Sequence, residues 1–255
     1  GANTDETFHG IIDNRASSST REGTVSITKK GSGDWRLTGN NVYKGTTTVK
    51  GGRLIVNGTH SGTGAITVYD EATLRGRGTL AGKGTVKEGG VIAAGDTLVN
   101  NAHSFKLNGG LTVEKGGIVE ATIYTDMGDC RACVLAPAKT LTLNDAILKI
   151  NMDAESADYS MDDEFQIFKI SSSTTVTGTG IAQIIPAQPA ADLYWDTSDL
   201  LKTGVLRVSD KPAGIDGLAD NAISVWPLSV TSQLNVTVPG DTQVAIYSLA
   251  GEQVK

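Results

Sequence analysis

The chain has 255 residues with 28 acidic and 22 basic side chains, which gives a net charge of −6. Scattered basic residues in an acidic chain do not supply the positive field that phosphate contacts need, so the composition argues against a nucleic-acid partner. Glycine contributes 31 residues, whereas Phe, Trp and Tyr contribute only 4, 3 and 6. This balance favours frequent backbone turns over bulky aromatic packing. No stretch approaches the roughly 18 consecutive apolar residues of a membrane span, so we expect no transmembrane segment.

The amino-terminal segment, residues 1–24, is predicted to be a lead-in or cap, and it lacks the layout of a secretion signal. From residue 25 onward the chain repeats a glycine pair followed by a short alternating strand, at 51–52, 89–90, 109–110 and 116–117. Glycine tolerates positive φ, so each pair predicts a corner before a strand. Asparagine, which also enters the left-handed region, follows short apolar strands at four predicted strand-end corners, some of them stacked as amide ladders: Asn57, Asn108, Asn144 and Asn151.

Strands this short cannot bury a face alone, which predicts that they stack on equivalent strands in successive coils of a parallel β-solenoid. A β-sandwich is the alternative, but its strands usually run to five or six residues. At about 20 residues per coil, the predicted solenoid of residues 25–210 has roughly nine or ten coils and is about 45 Å long. The side chains expected to point inward are Leu54, Val56, Ile66, Val68, Leu74, Leu80, Val86, Leu111, Val113, Leu141 and Leu143.

The periodicity lapses in the acidic segment 153–164, which we interpret as a solvated excursion between coils because it lacks the spacing of a calcium loop. The stretch 185–191 leads into Leu193, and this boundary is expected to close the rod. Residues 215–255 are predicted to form a separate small β module. Its strands 233–238 and 243–248 are joined by Pro-Gly-Asp, which is typical of a hairpin. An isolated hairpin is marginal in water, so we expect it to dock on residues 193–208 through Val225, Trp226, Leu234, Val236 and Ile246.

The segment from Lys30 to Asn57, KGSGDWRLTGNNVYKGTTTVKGGRLIVN, strongly resembles the autotransporter-associated β-strand repeat. The stretches TLRGRGTL at 73–80 and GGVIAAG at 89–95 resemble its continuation, and LYWDTSDL at 193–200 with GVLRV at 204–208 resembles the way such passengers end. Together they cover roughly residues 25–210. The resemblance implies a right-handed parallel β-helix exported to a bacterial surface, with no catalytic activity intrinsic to the repeat.

The tail resembles the start of the carboxyl-terminal sorting domain used by type IX secretion in Bacteroidetes, through ISVWP at 223–227 and VAIYSLAGEQV at 244–254. Leu228 replaces the Asn of the usual Pro-Asn-Pro. The segment Asp96-Thr97-Leu98 is similar to the O-glycosylation acceptor of the same bacteria. These resemblances imply a secreted or cell-surface location.

Several motifs that carry chemistry elsewhere lack their context here. Gly76-Arg-Gly78 matches the letters of the dinucleotide fingerprint, but glycines at 82 and 84 break the helix that the fingerprint requires. The histidines at 9, 60 and 103 lack the spacing of a zinc site or a hydrolase triad. Cys130 and Cys133 are compatible with free thiols, a strained disulfide or half of a metal site, and their flanks indicate loop and strand.

Parallel β-helices also host polysaccharide lyases and hydrolases, whose carboxylates line an exterior groove. The candidates for such a site are Asp70, Glu71, Glu88, Asp96, Glu114 and Glu120. The aromatic residues that could stack on sugars, although core or cap packing is favoured for each, are Trp35, Tyr43, Tyr69, Tyr124 and Trp195. We assign no catalytic, cofactor-binding or metal-binding residue, and expect a monomeric stalk or adhesin-like segment whose partners are glycans or surface proteins. The alternative is an accessory or glycan-binding region of a larger polysaccharide-degrading enzyme.

Overall fold

The computed structural model describes residues 4–14, 23–96, 103–126, 129–152 and 159–210, and the short strands 224–226, 235–237, 246–247 and 253–254. These residues form an all-β coil in which each turn contributes one strand to each of up to three parallel sheets. We call them sheet 1, sheet 2 and sheet 3, in the order in which each coil from Ile27 onward visits them. The prediction of a parallel β-helix rather than a sandwich is therefore confirmed. Among the described residues, no helix has the length and apolar character needed to cross a membrane.

Sheet 1 has seven short strands, Ile27–Lys29, Thr47–Val49, Ile66–Val68, Gly84–Val86, Leu111–Val113, Thr140–Leu143 and Thr175–Thr177. The parallel strands of sheet 2 are Glu6–Phe8, Asp34–Leu37, Gly52–Val56, Ala72–Gly76, Val91–Ala94, Ile118–Asp126, Ala146–Met152 and Ile181–Ile185. Sheet 3 contains Thr59–His60, Thr79–Leu80, Ser104–Leu107 and Val134–Pro137. Since Glu6–Phe8 pairs in parallel with the next sheet 2 strand, the lead-in supplies a strand to the coil.

The core is built from aliphatic columns in which each inward side chain stacks on its register partner in the next coil. In sheet 2, Leu54 pairs with Leu74, Leu74 with Ile92 and Ile92 with Val119. Full burial of such a side chain contributes about 1.5–3 kcal/mol, so the columns supply most of the stability of the coil. All eleven side chains that the sequence predicted to point inward are buried, at 3% exposure or less.

The number of coils is smaller than predicted, because sheet 1 contains seven strands in the described chain. Ile27 pairs with Thr47, Thr47 with Ile66 and Ile66 with Gly84, so the first coils take about 20 residues each, as expected. Gly84 then pairs with Leu111, and Leu111 with Leu141, because later coils carry insertions. At about 4.8 Å per strand, sheet 1 extends roughly 30 Å rather than 45 Å.

The corner between sheets 1 and 2 is turned by one left-handed residue in each of four successive coils. These residues are Glu71, Gly89, Gly116 and Asp145, with φ values of 57°, 68°, 72° and 47°. The sequence prediction for the glycine pairs is confirmed, because Gly89 and Gly116 turn two of these corners and the other two pairs contain Gly52 and Gly110, with φ values of 59° and 91°. The predicted strand-end position is confirmed for Asn57, Asn108 and Asn144, each of which directly follows a strand, and is wrong for Asn151. None of the four asparagines has positive φ, so the left-handed conformation expected of them is wrong.

The asparagines lack the left-handed conformation because three of them continue the hydrogen-bond ladders of their strands. The amides of Asn57, Asn108 and Asn144 donate to the carbonyls of Leu37, Leu80 and Val113, so each asparagine continues its ladder beyond the strand. Asn151 lies inside a sheet 2 strand. The left-handed residue comes one or two positions after the ladder ends, as at Gly110 and Asp145.

The carboxyl-terminal end of the coil is covered by a three-stranded antiparallel sheet, which we call the cap sheet. Its strands are Glu164–Gln166, Tyr194–Asp196 and Val205–Ser209. Parallel pairing ends at Ile181–Ile185, so the last part of the predicted solenoid, 194–209, is antiparallel. Trp195 is 4% exposed, and its indole N–H donates to the Pro186 carbonyl over 3.0 Å. The segment that the sequence expected to close the rod thus does so through its own strands.

In the tail, Ser224–Trp226 pairs antiparallel with Asn235–Thr237, and Ile246–Tyr247 with Gln253–Val254. Most residues of the hairpin predicted between 233–238 and 243–248 lie outside the described part of the structure, in which Asn235–Thr237 pairs with an upstream strand and Ile246–Tyr247 with a downstream one. The expected docking of Val225, Trp226, Leu234, Val236 and Ile246 on residues 193–208 concerns side chains outside the described part of the structure. The acidic residues 153–158 also lie outside it.

Candidate functional site

The carboxylates proposed for catalysis are distributed over several coils and serve different local roles. Asp70 accepts a hydrogen bond from the Glu71 amide at 2.9 Å in an exposed turn. Glu114 lies 2.5 Å from the Lys87 ammonium. Glu120 lies between Arg75, at 3.6 Å, and Lys149, at 3.2 Å. Glu88 is exposed in a turn of its own. Within the described ranges, no group of three or more His, Cys, Asp or Glu side chains is placed to hold a metal ion.

Asp96, the remaining candidate, belongs to a buried ionic cluster on the outer face of sheet 2. Its carboxylate accepts hydrogen bonds from Arg36 Nε at 3.4 Å and from Asn57 Nδ2 at 2.6 Å. Arg36 also donates to Asp34 at 3.2 Å, and Asp34 accepts from Arg53 at 2.5 Å. The Arg36, Asp34 and Asp96 side chains are 8%, 2% and 4% exposed. We call these five residues the Asp96 latch.

The latch holds the chain against the sheet that it has just left. Arg36 lies on the sheet 2 strand Asp34–Leu37, which is three strands away from Val91–Ala94 in that sheet. Asp96, two residues after Ala94, contacts Arg36 because the chain turns back over the outer face of sheet 2. Gly95, with φ 91°, makes this turn, and its carbonyl accepts a hydrogen bond from Arg75 Nε at 3.0 Å. Ile55 and Ala93 share the outward column with Arg36 and Arg75, yet both are 0% exposed. Part of the outer face is therefore a second buried layer.

The aromatic candidates divide into packing residues and exposed ones. Tyr43 and Trp195 are buried at 2% and 4% exposure, which agrees with core and cap packing. Tyr124 is partly buried against the core. Tyr69 is 41% exposed, and the Lys50 ammonium lies 5.4 Å from the centre of its ring. Among the described aromatic candidates, Tyr69 is the one whose ring is open for stacking.

The fifth aromatic residue, Trp35, lines a cavity of about 300 Å³ in the first coil, together with Glu6, Lys29, Asp34 and their neighbours. The Lys29 ammonium donates to the carbonyls of Lys30, Gly31 and Gly51 at 3.0, 2.7 and 3.0 Å. Burial lowers the pKa of Lys29, and the nearby Asp34 and Asp5 carboxylates oppose that shift. Asp34 is already engaged in the Asp96 latch. The charged groups of this cavity are thus largely committed to neighbours within the protein.

The histidines lie apart, and one of them is part of the core. His60 is 2% exposed and stacks on Tyr43 with ring centres 3.9 Å apart. Burial lowers the pKa of His60 and raises the pKa of Tyr43, whose hydroxyl lies 2.5 Å from Thr47 Oγ1. His9 is an exposed partner of Thr38 at 2.8 Å. This arrangement provides packing rather than a proton-transfer pair.

The cysteine segment forms a hairpin on sheet 2. Its strand Asp129–Ala132 pairs antiparallel with the end of Ile118–Asp126. Cys133 is buried at 3% exposure, and a Cβ placed on Gly95 would approach its Sγ to 2.9 Å. The Cys130 side chain and Thr97 lie outside the described residues. The loop-and-strand setting predicted for this pair differs from the helix start at which redox cysteines usually sit.

Sequence reasoning found the glycine corners and missed the Asp96 latch and the Tyr43–His60 stack. In Gly76-Arg-Gly78, each glycine permits close backbone stacking, because a Cβ would lie 2.0 Å from the carbonyl oxygen of Val56 or Gly58. The one signal for the latch was a set of charged outward residues on two adjacent predicted strands, Asp34, Arg36 and Arg53. The sequence did not predict Asp96 as their partner, because that contact depends on the chain turning back over sheet 2 after Ala94.

The fold and these contacts define a parallel β-helix with a buried ionic cluster on the outer face of one sheet. Residues 27–56 match the family model of the passenger-associated-transport-repeat. This segment holds the sheet 2 strands Asp34–Leu37 and Gly52–Val56 and three of the five latch residues, Asp34, Arg36 and Arg53. Comparison with curated proteins gave no significant match.

Proposed function

We propose that this chain is a rigid, non-catalytic segment of a secreted or cell-surface protein, acting as a stalk or an adhesin-like spacer. The observation that carries the proposal is the uninterrupted parallel pairing from Ile27–Lys29 to Thr175–Thr177 in sheet 1. A coil of this kind resists bending because displacing one coil breaks hydrogen bonds to both neighbours. The family match supports an exported location, since the repeat is a passenger-type repeat.

Ties between coils support rigidity further. Arg36 and Asp96 come from different coils, as do Lys87 with Glu114 and Lys149 with Glu120. The exposed pairs contribute little individually, about 0–1 kcal/mol, whereas the buried one strongly disfavours separation of its partners. The coil is therefore fastened on its outside as well as through its core.

The non-catalytic part of the proposal is supported by the placement of the carboxylates. Glycoside hydrolysis needs two carboxyl groups that face one bond, about 5–10 Å apart. Here Glu114 and Glu120 face lysine or arginine partners, and Asp96 is committed to the latch. We expect no unsaturated or reducing products from pectin or chitin. If the purified chain depolymerised pectin or chitin and Glu88→Ala abolished that activity, this part of the proposal would be contradicted.

Solution scattering tests the rod. The purified chain should give the pair-distance distribution of an elongated particle whose maximum dimension is unchanged between low and high salt. A broad distribution that expands with salt would mean a flexible chain and would overturn the stalk role. Protease treatment of intact source cells tests the location, because a surface segment is removed without lysis. Export through a type IX sorting tail stays a prediction, for which the test is retention inside cells after removal of residues 215–255.

A second candidate function is glycan binding within a larger polysaccharide-degrading protein. It is favoured by Tyr69, whose exposed ring and neighbouring Lys50 form a surface platform beside the threonine column of sheet 1. In that column Thr48 pairs with Thr67 and Thr67 with Thr85. Loss of binding to an insoluble glycan in Tyr69→Ala, with an unchanged melting temperature, is the expected result.

A further inference from the structure

A notch on the outer face of sheet 3 combines basic side chains with a small, apolar floor. Lys106 pairs in register with Ala136, and the Lys169 amide donates to the Leu135 carbonyl at 2.8 Å, which places Lys169 in the next coil of the same outward column. The floor consists of Ala136, Pro137 and Ala138, and the volume is about 200 Å³. The lysines are separated by two strand spacings, roughly 10 Å along the coil.

Strand alternation forces both lysines outward. Phe105, Leu107 and Phe168, the neighbours of the two lysines, are 0% exposed in the core. Alanine at 136 leaves a gap between the lysines that a longer side chain would fill. The notch therefore exists because a small residue stands between two long ones in one stacked column.

The walls of the notch are completed by polar groups that the fold holds in place. Asn108 extends from one side and Ser171 from the other. Ser171 belongs to a turn in which its carbonyl accepts from the Thr174 amide at 2.9 Å, and Thr174 Oγ1 donates to the Pro137 carbonyl at 3.1 Å. Through Thr174, this turn is anchored to the floor of the notch.

The charge of the notch is opposite to that of the chain. The net charge of the protein is −6, yet no carboxylate is among the described residues that line the notch. Two ammonium groups without a lining carboxylate attract an anionic group, and the amide and hydroxyl can bind the hydroxyls of a sugar. The methyl groups of the alanine floor suit the apolar face of a sugar ring. Pockets for drug-sized ligands span about 300–1,000 Å³, so this smaller notch suits a single sugar unit.

We propose that this notch binds one anionic sugar unit, carrying a carboxylate or a sulfate, within an acidic polysaccharide. The inference rests on the glycan-binding candidate function and goes beyond it by naming the site and the ligand class. It is independent of the rigid-rod role, which requires no ligand. Failure to bind would leave the scattering result for the rod unchanged.

Binding is measured by titration calorimetry with the full chain and three oligosaccharides: an oligogalacturonate, which carries only carboxylates, a κ-carrageenan oligosaccharide, which carries only sulfates, and a neutral cello-oligosaccharide. We expect one or both acidic probes to bind and the neutral one to bind at least about tenfold more weakly. The comparison of the two acidic probes identifies carboxylate or sulfate as the preferred group. Affinity should fall as salt is raised from low to physiological concentration, because screening weakens attraction between exposed charges.

Two kinds of variant locate the site. The double variant Lys106→Gln with Lys169→Gln should lower the affinity about tenfold by removing both charges. Ala136→Leu should lower it similarly by filling the notch while the charge stays constant. The matched control is Lys30→Gln with Lys83→Gln, which removes two exposed lysines outside the notch. An equal loss in the control, full binding by Ala136→Leu, or no binding of either acidic probe would each overturn the proposal.

Discussion

Replacement of Asp96 by alanine tests whether the charged cluster on sheet 2 holds the returning chain in place. Asp96 accepts hydrogen bonds from Arg36 and Asn57, and its side chain is 4% exposed. The substitution removes both acceptors without touching the aliphatic core. We therefore expect Asp96→Ala to cause a large loss of stability, although nothing in the sequence pattern distinguished Asp96 from the other five candidate carboxylates.

The magnitude follows from the contacts. A hydrogen bond to a charged group contributes about 1.5–3 kcal/mol, and leaving a buried charge without its partner costs about 3–5 kcal/mol. Arg36 keeps Asp34 as a partner at 3.2 Å, which places the expected loss near the lower end, about 3 kcal/mol. For a chain of this size that loss corresponds to a fall in melting temperature of about 6–12 °C. Asp96→Asn keeps the shape and one acceptor, so it should lose about half as much.

The assay is thermal unfolding followed by circular dichroism, with hydrogen exchange as the local measurement. The Gly95 amide donates to the Gly76 carbonyl at 2.8 Å, and its exchange should accelerate in Asp96→Ala while sheet 1 amides keep their protection. Glu88→Ala is the control, because Glu88 is exposed in a turn, and it should change the melting temperature by less than about 2 °C. Equal effects of Asp96→Ala and Glu88→Ala would refute the latch.

Three further predictions address the corner, the buried histidine and the cap. Gly116→Ala places a Cβ on a residue with φ 72° and should lower the free energy of unfolding in urea by about 1–2 kcal/mol. Glu71→Gly, at φ 57°, should leave that free energy unchanged or raise it. If Glu71→Gly were the more destabilising variant, the corner assignment would be contradicted. Burial lowers the pKa of His60 below its value in the unfolded state, so the unfolded state binds more protons and stability should fall as pH drops below about 6.5. His60→Phe should therefore reduce the difference in melting temperature between pH 5 and 7. An unchanged difference would contradict this role of the buried His60. Trp195→Ala should cost about 3–5 kcal/mol and Trp195→Phe about 1 kcal/mol, read from chemical unfolding, and equal small losses would mean that the cap is not a packed unit.

The alternation of side chains made the fold readable from sequence. Leu54 and Leu74 occupy equivalent positions of repeated strands, so local pattern alone predicts that both point inward. Ile55 could not be predicted to be buried, because its position faces outward and its burial depends on a chain segment some forty residues later. The pairing partners in the tail were also beyond reach, since Ser224–Trp226 and Ile246–Tyr247 alternate equally well as partners of Asn235–Thr237.

The insertions that lengthen the later coils all enter at the corner between sheets 2 and 3, and this explains why the unusual features lie there. In the second coil only two residues separate Gly52–Val56 from Thr59–His60, whereas Val91–Ala94 and Ser104–Leu107 are separated by a longer segment that begins with the Asp96 return. The next coil inserts the cysteine hairpin at the same corner. The corner between sheets 1 and 2 stays short because a column of left-handed residues turns it in consecutive coils. Repeat proteins place insertions on one face, which is often the binding face. The basic notch lies at the other end of the sheet 3 strands, where Asn108, Ala138 and Ser171 lead back to sheet 1, so the insertions and the proposed ligand site lie at opposite ends of these strands.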